Sequence, residues 1–178
     1  MPCQFRTPRV QPVHFLKKLP SGLTAPIAGM VFCISSGPVS FMKLFDYACE
    51  ITRSGGARRG PNMGLMRFDH PDILEFITAK TQTDTSQTFN ISVAASDAFM
   101  DLVQRRANYP LTNPRTGQEV GKLNARQVFD AIVDSARRTG VPGLVFLDTI
   151  NRQNPLAAVA SIEATNPCGE QPLLPYES

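Results

Sequence analysis

Gly143-Leu144-Val145-Phe146-Leu147 is the stretch on which the fold assignment turns. A strand with one wet face alternates polar and apolar residues. This one is almost wholly apolar and is bounded by turn residues, the pattern of a strand buried on both faces in a parallel sheet. Asp148-Thr149-Ile150-Asn151-Arg152 follows it. In α/β folds functional groups collect beyond the carboxyl ends of strands, so Asp148 stands where a ligand is reachable, although a turn or cap role is the simpler reading.

Upstream, Ala125, Val128, Phe129, Ile132, Val133 and Ala136 recur at helical intervals. They predict a helix capped by Asn124, stopped by Gly140, and carrying Arg137 and Arg138 at its negative end. Tyr109–Thr112 and Gln118–Leu123 flank Asn113-Pro114-Arg115-Thr116-Gly117, which predicts a small hairpin outside the core. Phe89-Asn90-Ile91-Ser92-Val93-Ala94 alternates as a strand, and Ser96-Asp97 caps a following helix with Phe99, Leu102 and Val103 on its apolar side.

Asp69-His70-Pro71-Asp72 marks another helix start, with Pro71 in the first turn, a structural His70, and Ile73, Leu74, Phe76 and Ile77 facing inward. Asn62–Arg67 is a short strand. Ser35-Ser36-Gly37-Pro38 opens a helix whose inward stripe is Phe41, Leu44, Phe45, Ala48 and Ile51, with Cys49 an inert thiol at the stripe's edge. From about residue 41 strands and helices alternate, which argues α/β with a parallel element. Before Ser35, five prolines (Pro2, Pro8, Pro12, Pro20, Pro26) and no sustained period predict an irregular segment over residues 1–34.

Two stretches carry chemistry. In Asn166-Pro167-Cys168-Gly169-Glu170-Gln171-Pro172-Leu173, an amide, a thiol and a carboxylate stand at alternate positions. An extended backbone puts all three on one face. Pro167 and Pro172 forbid a regular helix or a central ladder strand, Gly169 permits close approach by a ligand, and the segment reads as a shaped loop. Such a face suits a sulfur that takes something from a bound substrate while the carboxylate moves a proton and the amide orients a hydroxyl. Spacing alone leaves the competing reading open, since a single cysteine is more often a small buried hydrophobe.

The second stretch, Ser54-Gly55-Gly56-Ala57-Arg58-Arg59-Gly60-Pro61-Asn62-Met63-Gly64, joins paired glycines to adjacent guanidinium forks that match phosphate. Taken alone, a solvated surface turn is the simpler reading. The GxxxxGK[ST] phosphate loop is absent.

Taken together, SSGPVSFM, GGARRGPNMG, HPDI, FNISV, GLVFLDTIN and NPCGEQPL, in this order along residues 35–178, resemble the ribonucleotide reductase large subunit in its vitamin B12-dependent form. The resemblance implies a partial ten-stranded α/β barrel, incomplete in this chain. It further implies reduction of a ribonucleotide to the 2′-deoxyribonucleotide by a cysteine radical at Cys168, with Glu170 as base on the 3′ hydroxyl and Asn166 bonded to substrate. Pro167 and Gly169 complete the substrate-binding turn. Gly55, Gly56, Arg58, Arg59 and Asn62 belong to the loop that relays an allosteric nucleotide to the substrate base. FNISV becomes barrel wall around the substrate, although Asn90 and Ser92 satisfying neighbouring backbone is equally tenable.

Adenosylcobalamin is the implied cofactor and a dithiol, delivered by a thioredoxin-like protein, the implied reductant; no metal is assigned. The implied partners are a ribonucleoside di- or triphosphate, dNTP or ATP effectors, and the remaining reductase segments. The family's redox cysteine pair is not assignable to Cys3 or Cys33, and members continue with a cysteine after a Tyr-Glu-Ser like Tyr176-Glu177-Ser178. A split-gene or inactive fragment is therefore one alternative expectation, and the class I form with a radical-generating partner subunit is another.

Composition bounds these readings. At 178 residues and 19.5 kDa the chain has room for one core. A net charge of +3, with Lys and Arg scattered, does not indicate a dedicated nucleic-acid surface. Cys3, Cys33, Cys49 and Cys168 lack metal-ligand spacing and suit reduced thiols in a cytoplasm. The run Ile27–Ile34 is too short to span a bilayer, so a membrane partner is not expected. With His14 and His70 both far from Cys168 in sequence, a Cys/His hydrolase has little support.

Overall fold

The computed structural model describes residues 37–51, 60–82 and 88–175, together with the backbone of residues 24–25 and 33–34. Gly55, Gly56, Arg58 and Arg59 of the Gly/Arg loop, the Ser35-Ser36 helix entry and Tyr176–Ser178 lie outside the described residues. The elements run β1 (Thr24–Ala25), β2 (Cys33–Ile34), α1 (Pro38–Ile51), β3 (Asn62–Arg67), α2 (Ile73–Gln82), β4 (Phe89–Ala95), α3 (Asp97–Arg105), β5 (Asn108–Thr112), β6 (Glu119–Asn124), α4 (Ala125–Thr139), β7 (Gly143–Phe146), α5 (Leu147–Arg152), β8 (Ala164–Thr165) and β9 (Pro172–Leu173). The short ladder between β1 and β2 falls inside the stretch expected to be irregular.

The pleat of β4 divides the molecule. Strands β3, β4 and β7 form a parallel sheet in the order β3-β4-β7, pairing Gly64 with Ile91 and Val93 with Leu144. Phe89, Ile91, Val93 and Ala95 of β4 enter the main core with Val39 and Met42 of α1, Ile73, Phe76 and Ile77 of α2, Phe99 of α3, and Val128 and Ile132 of α4. Successive strand residues point to opposite faces, so Asn90, Ser92 and Ala94 look the other way. There a smaller cluster forms from Met63, Leu65, Ala94 and Ala164, with Val145 and Leu147 against it. Helices thus crowd one face of the sheet, and the opposite face is the more open one.

Caps behave as expected. The Ser96 hydroxyl accepts from Phe99 N at 3.0 Å. Asn124 accepts from Arg126 N and Gln127 N, and Gly140 closes α4 in the left-handed region at φ 79°. His70 is structural: its Nδ1 accepts from Asp72 N at 3.0 Å ahead of α2, so Pro71 lies in the turn before the helix and not in its first turn.

Four expectations are corrected. On α1 the buried residues are Pro38, Val39, Met42 and Asp46, with Phe41 and Phe45 partly buried against the core, whereas Leu44 and Ile51 are exposed at 61% and 66% and Ala48 faces solvent. The stripe is rotated because the Asp46 carboxylate is drawn inward, accepting from Thr88 N at 2.9 Å and from the Thr88 hydroxyl. Strand β7 is not buried on both faces: Leu144 and Val145 are half-buried and Phe146 is exposed. Among the described residues it has a ladder neighbour on one side alone, β4. The β5–β6 hairpin lies on the core and not outside it. Tyr109 and Leu111 are buried, Tyr109 donates to Phe68 O at 2.9 Å, and its ring meets Phe68 and Phe99 at 5.3 and 5.7 Å. Leu74 and Val133, expected inward, are partly exposed on the outer sides of α2 and α4.

Burial holds the His70 imidazole below its ordinary pKa, against the opposing pull of Asp72 and Asp69. The unfolded chain therefore binds a proton here before the folded chain does as pH falls. Stability is full above about pH 6.5 and declines as the pH drops through the lower folded value. Thermal unfolding between pH 7.5 and 5.5 should show a falling midpoint, and His70→Gln should reduce that slope.

Candidate functional site

Asn166 and Gln171 close the turn that carries the cysteine. Asn at the first position, Pro at the second and Gly at the fourth is a type I turn composition. Gly169 N donates to Asn166 O at 3.0 Å, and Asn166 N donates to Gln171 O at 3.3 Å. The Asn166 side-chain Oδ1 accepts from Gln171 N at 2.9 Å. Strands β8 and β9 pair antiparallel beneath the turn, Ala164 with Leu173 and Thr165 with Pro172.

The single extended face expected for Asn166, Cys168 and Glu170 is therefore corrected, because the chain reverses between Asn166 and Gly169, while residues 166–171 form a loop, as Pro167, Gly169 and Pro172 predict. What the fold does is place all three on one short turn. Cys168 and Glu170 are exposed, and Asn166 and Pro167 are half-buried. Exposure of the thiol argues against the buried-hydrophobe reading. Gly169 adopts φ 85°, a conformation costly for residues with a Cβ.

Two asparagines that sequence reasoning had not assigned to this turn hold it. Asn151 of α5 clamps the approaching chain, donating to Ile162 O at 2.8 Å and accepting from Ile162 N at 2.8 Å. Asn90 of β4 donates to Pro167 O at 2.8 Å. The partner of Asn90 is thus backbone, as one reading had it, but backbone remote in sequence and next to the cysteine. A period-two pattern showed that Asn90 points away from Phe89 and Ile91; nothing local in the sequence showed what it meets.

A cleft of about 220 Å³ opens near the carboxyl ends of the sheet strands, lined by Leu65, Arg67, Asp148, Asn151, Ser161 and Glu163 among others. Asn166, Cys168 and Glu170 are not part of its lining. Arg67 grips Asp69 with two bonds of 2.9 and 2.8 Å, and that contact, with the charges of Asp69 and Asp148, raises its pKa further. Asp148 accepts from Asp97 N at 2.9 Å, so it caps the start of α3 from a distance, in keeping with a cap role. Arg152 bonds the Asp97 carboxylate as well, locking α5 against α3.

Of the proposed nucleotide-loop residues, Asn62 is described. Its amide donates to Cys49 Sγ at 3.0 Å and to Thr88 Oγ1 at 3.3 Å, bracketing α1 and the entries to β3 and β4. Cys49, half-buried and engaged, fits an inert thiol. No helix among the described residues is long and apolar enough to cross a membrane.

Residues 25–178 match the model of the ribonucleotide reductase barrel domain. The chain is 50% identical to a vitamin B12-dependent ribonucleoside-diphosphate reductase of Thermoplasma acidophilum over 85% of its own length and 20% of the relative's. It is 52% identical to an enzyme of the same name from Mycobacterium tuberculosis, over 81% of this chain and 21% of that one. A vitamin B12-dependent ribonucleotide reductase of Streptomyces avermitilis is 31% identical, covering 76% and 17% respectively. The chain spans about a fifth of the length of these curated relatives.

Because Gly169 has open space where a Cβ would stand, the cost of a side chain there is backbone strain alone. Gly169→Ala should destabilise the turn by about 1–2 kcal/mol. Gly169→Asn should cost less, as comparative urea unfolding will show.

Proposed function

Since the chain belongs to the ribonucleotide reductase barrel family, we propose that it forms the cysteine-bearing wall of an enzyme that reduces ribonucleotides to 2′-deoxyribonucleotides. The observation that carries this reading is the exposed Cys168 at the tip of a hydrogen-bonded Asn-Pro-Cys-Gly turn, with Asn166 and Glu170 on the same turn. A fixed turn presents a sulfur to a sugar ring better than a mobile loop does.

Each residue has a role in this reading. The Cys168 sulfur, as a thiyl radical, takes the 3′ hydrogen atom, so that an S–H bond forms as C3′–H breaks. Glu170 receives the 3′-hydroxyl proton. Asn166 Oδ1 is committed to Gln171 N, which leaves its Nδ2 donor for a substrate hydroxyl. The 2′ oxygen departs as water, a dithiol supplies two electrons and two protons and becomes a disulfide, Glu170 gives its proton back to the 3′ oxygen, and the S–H hydrogen returns to C3′, restoring the radical. Pro167 and Gly169 shape the turn around the substrate.

Vitamin B12 appears in the names of the relatives, and its cobalt–carbon bond is a source of the unpaired electron that the sulfur needs. Cys168 is the residue that would face adenosylcobalamin. It is exposed, so a large group reaches it without crossing packed helices.

Residues 35–178 then constitute part of a ten-stranded barrel, and the family match reaches ten residues further upstream. The substrate is a ribonucleoside di- or triphosphate. Gly55, Gly56, Arg58, Arg59 and Asn62 take part in the response to dNTP or ATP effectors, and a thioredoxin-like protein renews the dithiol in a cytoplasmic setting. Activity belongs to the assembled barrel. The three parallel strands β3, β4 and β7 do not close on themselves, and the half-exposed β7 suits a further strand.

With the remaining barrel supplied, CDP or CTP reduction should require adenosylcobalamin and a dithiol. Cys168→Ser should lower turnover by about a thousandfold or more, and Glu170→Gln by roughly 10²–10⁴-fold. Turnover by Cys168→Ser at the unsubstituted rate would reject the radical role. The chain by itself should show none.

A further inference from the structure

Asn90 takes no part in the reaction steps above. Its neighbours Phe89 and Ile91 are fully buried on the helix side of β4, which forces its own side chain onto the open face. The strand at this point is held from two directions, α1 and β3. Thr88, just ahead, is bonded through N and Oγ1 to the buried Asp46 carboxylate, its carbonyl accepts from Asn62 N at 2.7 Å, and β4 pairs with β3 from Phe89 onward. Asn90 is therefore an amide fixed on a rigid element, and it donates to Pro167 O at 2.8 Å across 77 residues of chain.

Pro167 O belongs to the peptide unit that enters Cys168. Holding that oxygen fixes the plane of the peptide and so the direction in which the cysteine Cα–Cβ bond leaves the turn. The internal hydrogen bonds of the turn shape it but do not locate it relative to the sheet. Asn151 ties the chain to α5 at Ile162, six residues upstream of the cysteine. Asn90 ties it at the adjoining residue.

We propose that Asn90 is a positioning residue for Cys168, setting the place of the sulfur through the Pro167 carbonyl without touching substrate. The inference rests on Cys168 being the reacting residue. Misplacing a reacting atom by an ångström costs up to about a hundredfold in rate, whereas binding that does not involve the misplaced group is unaffected.

The test uses the full-length reductase containing this segment. Asn90→Ala removes the donor. Asn90→Asp keeps the volume and sets a carboxylate against the carbonyl oxygen. Both should lower kcat by about ten- to a hundredfold with KM within about twofold, Asp at least as severely as Ala. Both should also change the iodoacetamide alkylation rate of Cys168, read by peptide mass spectrometry without cofactor or substrate. Asn90 is solvent-exposed, so circular dichroism should show both variants folded.

If kcat and alkylation stay within twofold of the unsubstituted enzyme in both variants, the positioning role is wrong. A raised KM at unchanged kcat would place Asn90 on the substrate and equally overturn it. Cys168→Ser separates this inference from the reading beneath it. Full turnover in that variant removes the reacting role of the cysteine, while its loss alongside normal Asn90 variants removes the tether alone.

Discussion

A strand hydrogen-bonded on both sides has no freedom to rotate, and β4, between β3 and β7, is in that position. Its odd-numbered residues are committed to the core by Phe89, Ile91 and Val93, so its even-numbered residues are committed to the other face whatever their chemistry. The Asp46–Thr88 bonds set the start of this register. Burying three large apolar side chains, each contributing about 1.5–3 kcal/mol, is what holds a polar amide, Asn90, fixed beside the cysteine turn. Packing on one side of the sheet and the placement of the cysteine turn on the other are thus a single constraint seen from two faces.

Much of this architecture was legible in the sequence because local rules were strong. Ser96, Asn124 and Gly140 cap where their chemistry says they should, and the parallel strands carry their expected apolar residues. The failures have physical causes. Leu44 and Ile51 look like core residues by spacing, but a buried carboxylate with two donors outweighs one apolar contact in deciding which side of α1 turns inward. Leu144–Phe146 has the composition of a doubly buried strand, yet burial depends on neighbours, and here the layer over its open face is thin.

The candidate site divides in the same way. Residue identities along Asn166–Glu170 pointed to a reactive segment in a shaped loop, and the Asn-Pro-x-Gly turn signal was present in them; only the period-of-two argument for one extended face overlooked it. Asn90 and Asn151 had no comparable signal. An asparagine whose partner is dozens of residues away along the chain differs in no local respect from one that caps a turn. Such contacts become visible only when the strands are in place.

The β5–β6 hairpin interrupts the connection between β4 and β7, and its anchors lie along β5: Tyr109 on Phe68 near its base, and Thr112 N on Asp69 O at 2.8 Å where the strand ends. Its far end, from Asn113 to Gln118, is held mainly by its own bonds, with Asn113 Oδ1 receiving Arg115 N and Thr116 N. Homologues can therefore grow or shrink at this tip without disturbing the strand order, which makes it a natural place for lineages to acquire length, or for an experimenter to graft an epitope, while the face that carries Cys168 stays as it is.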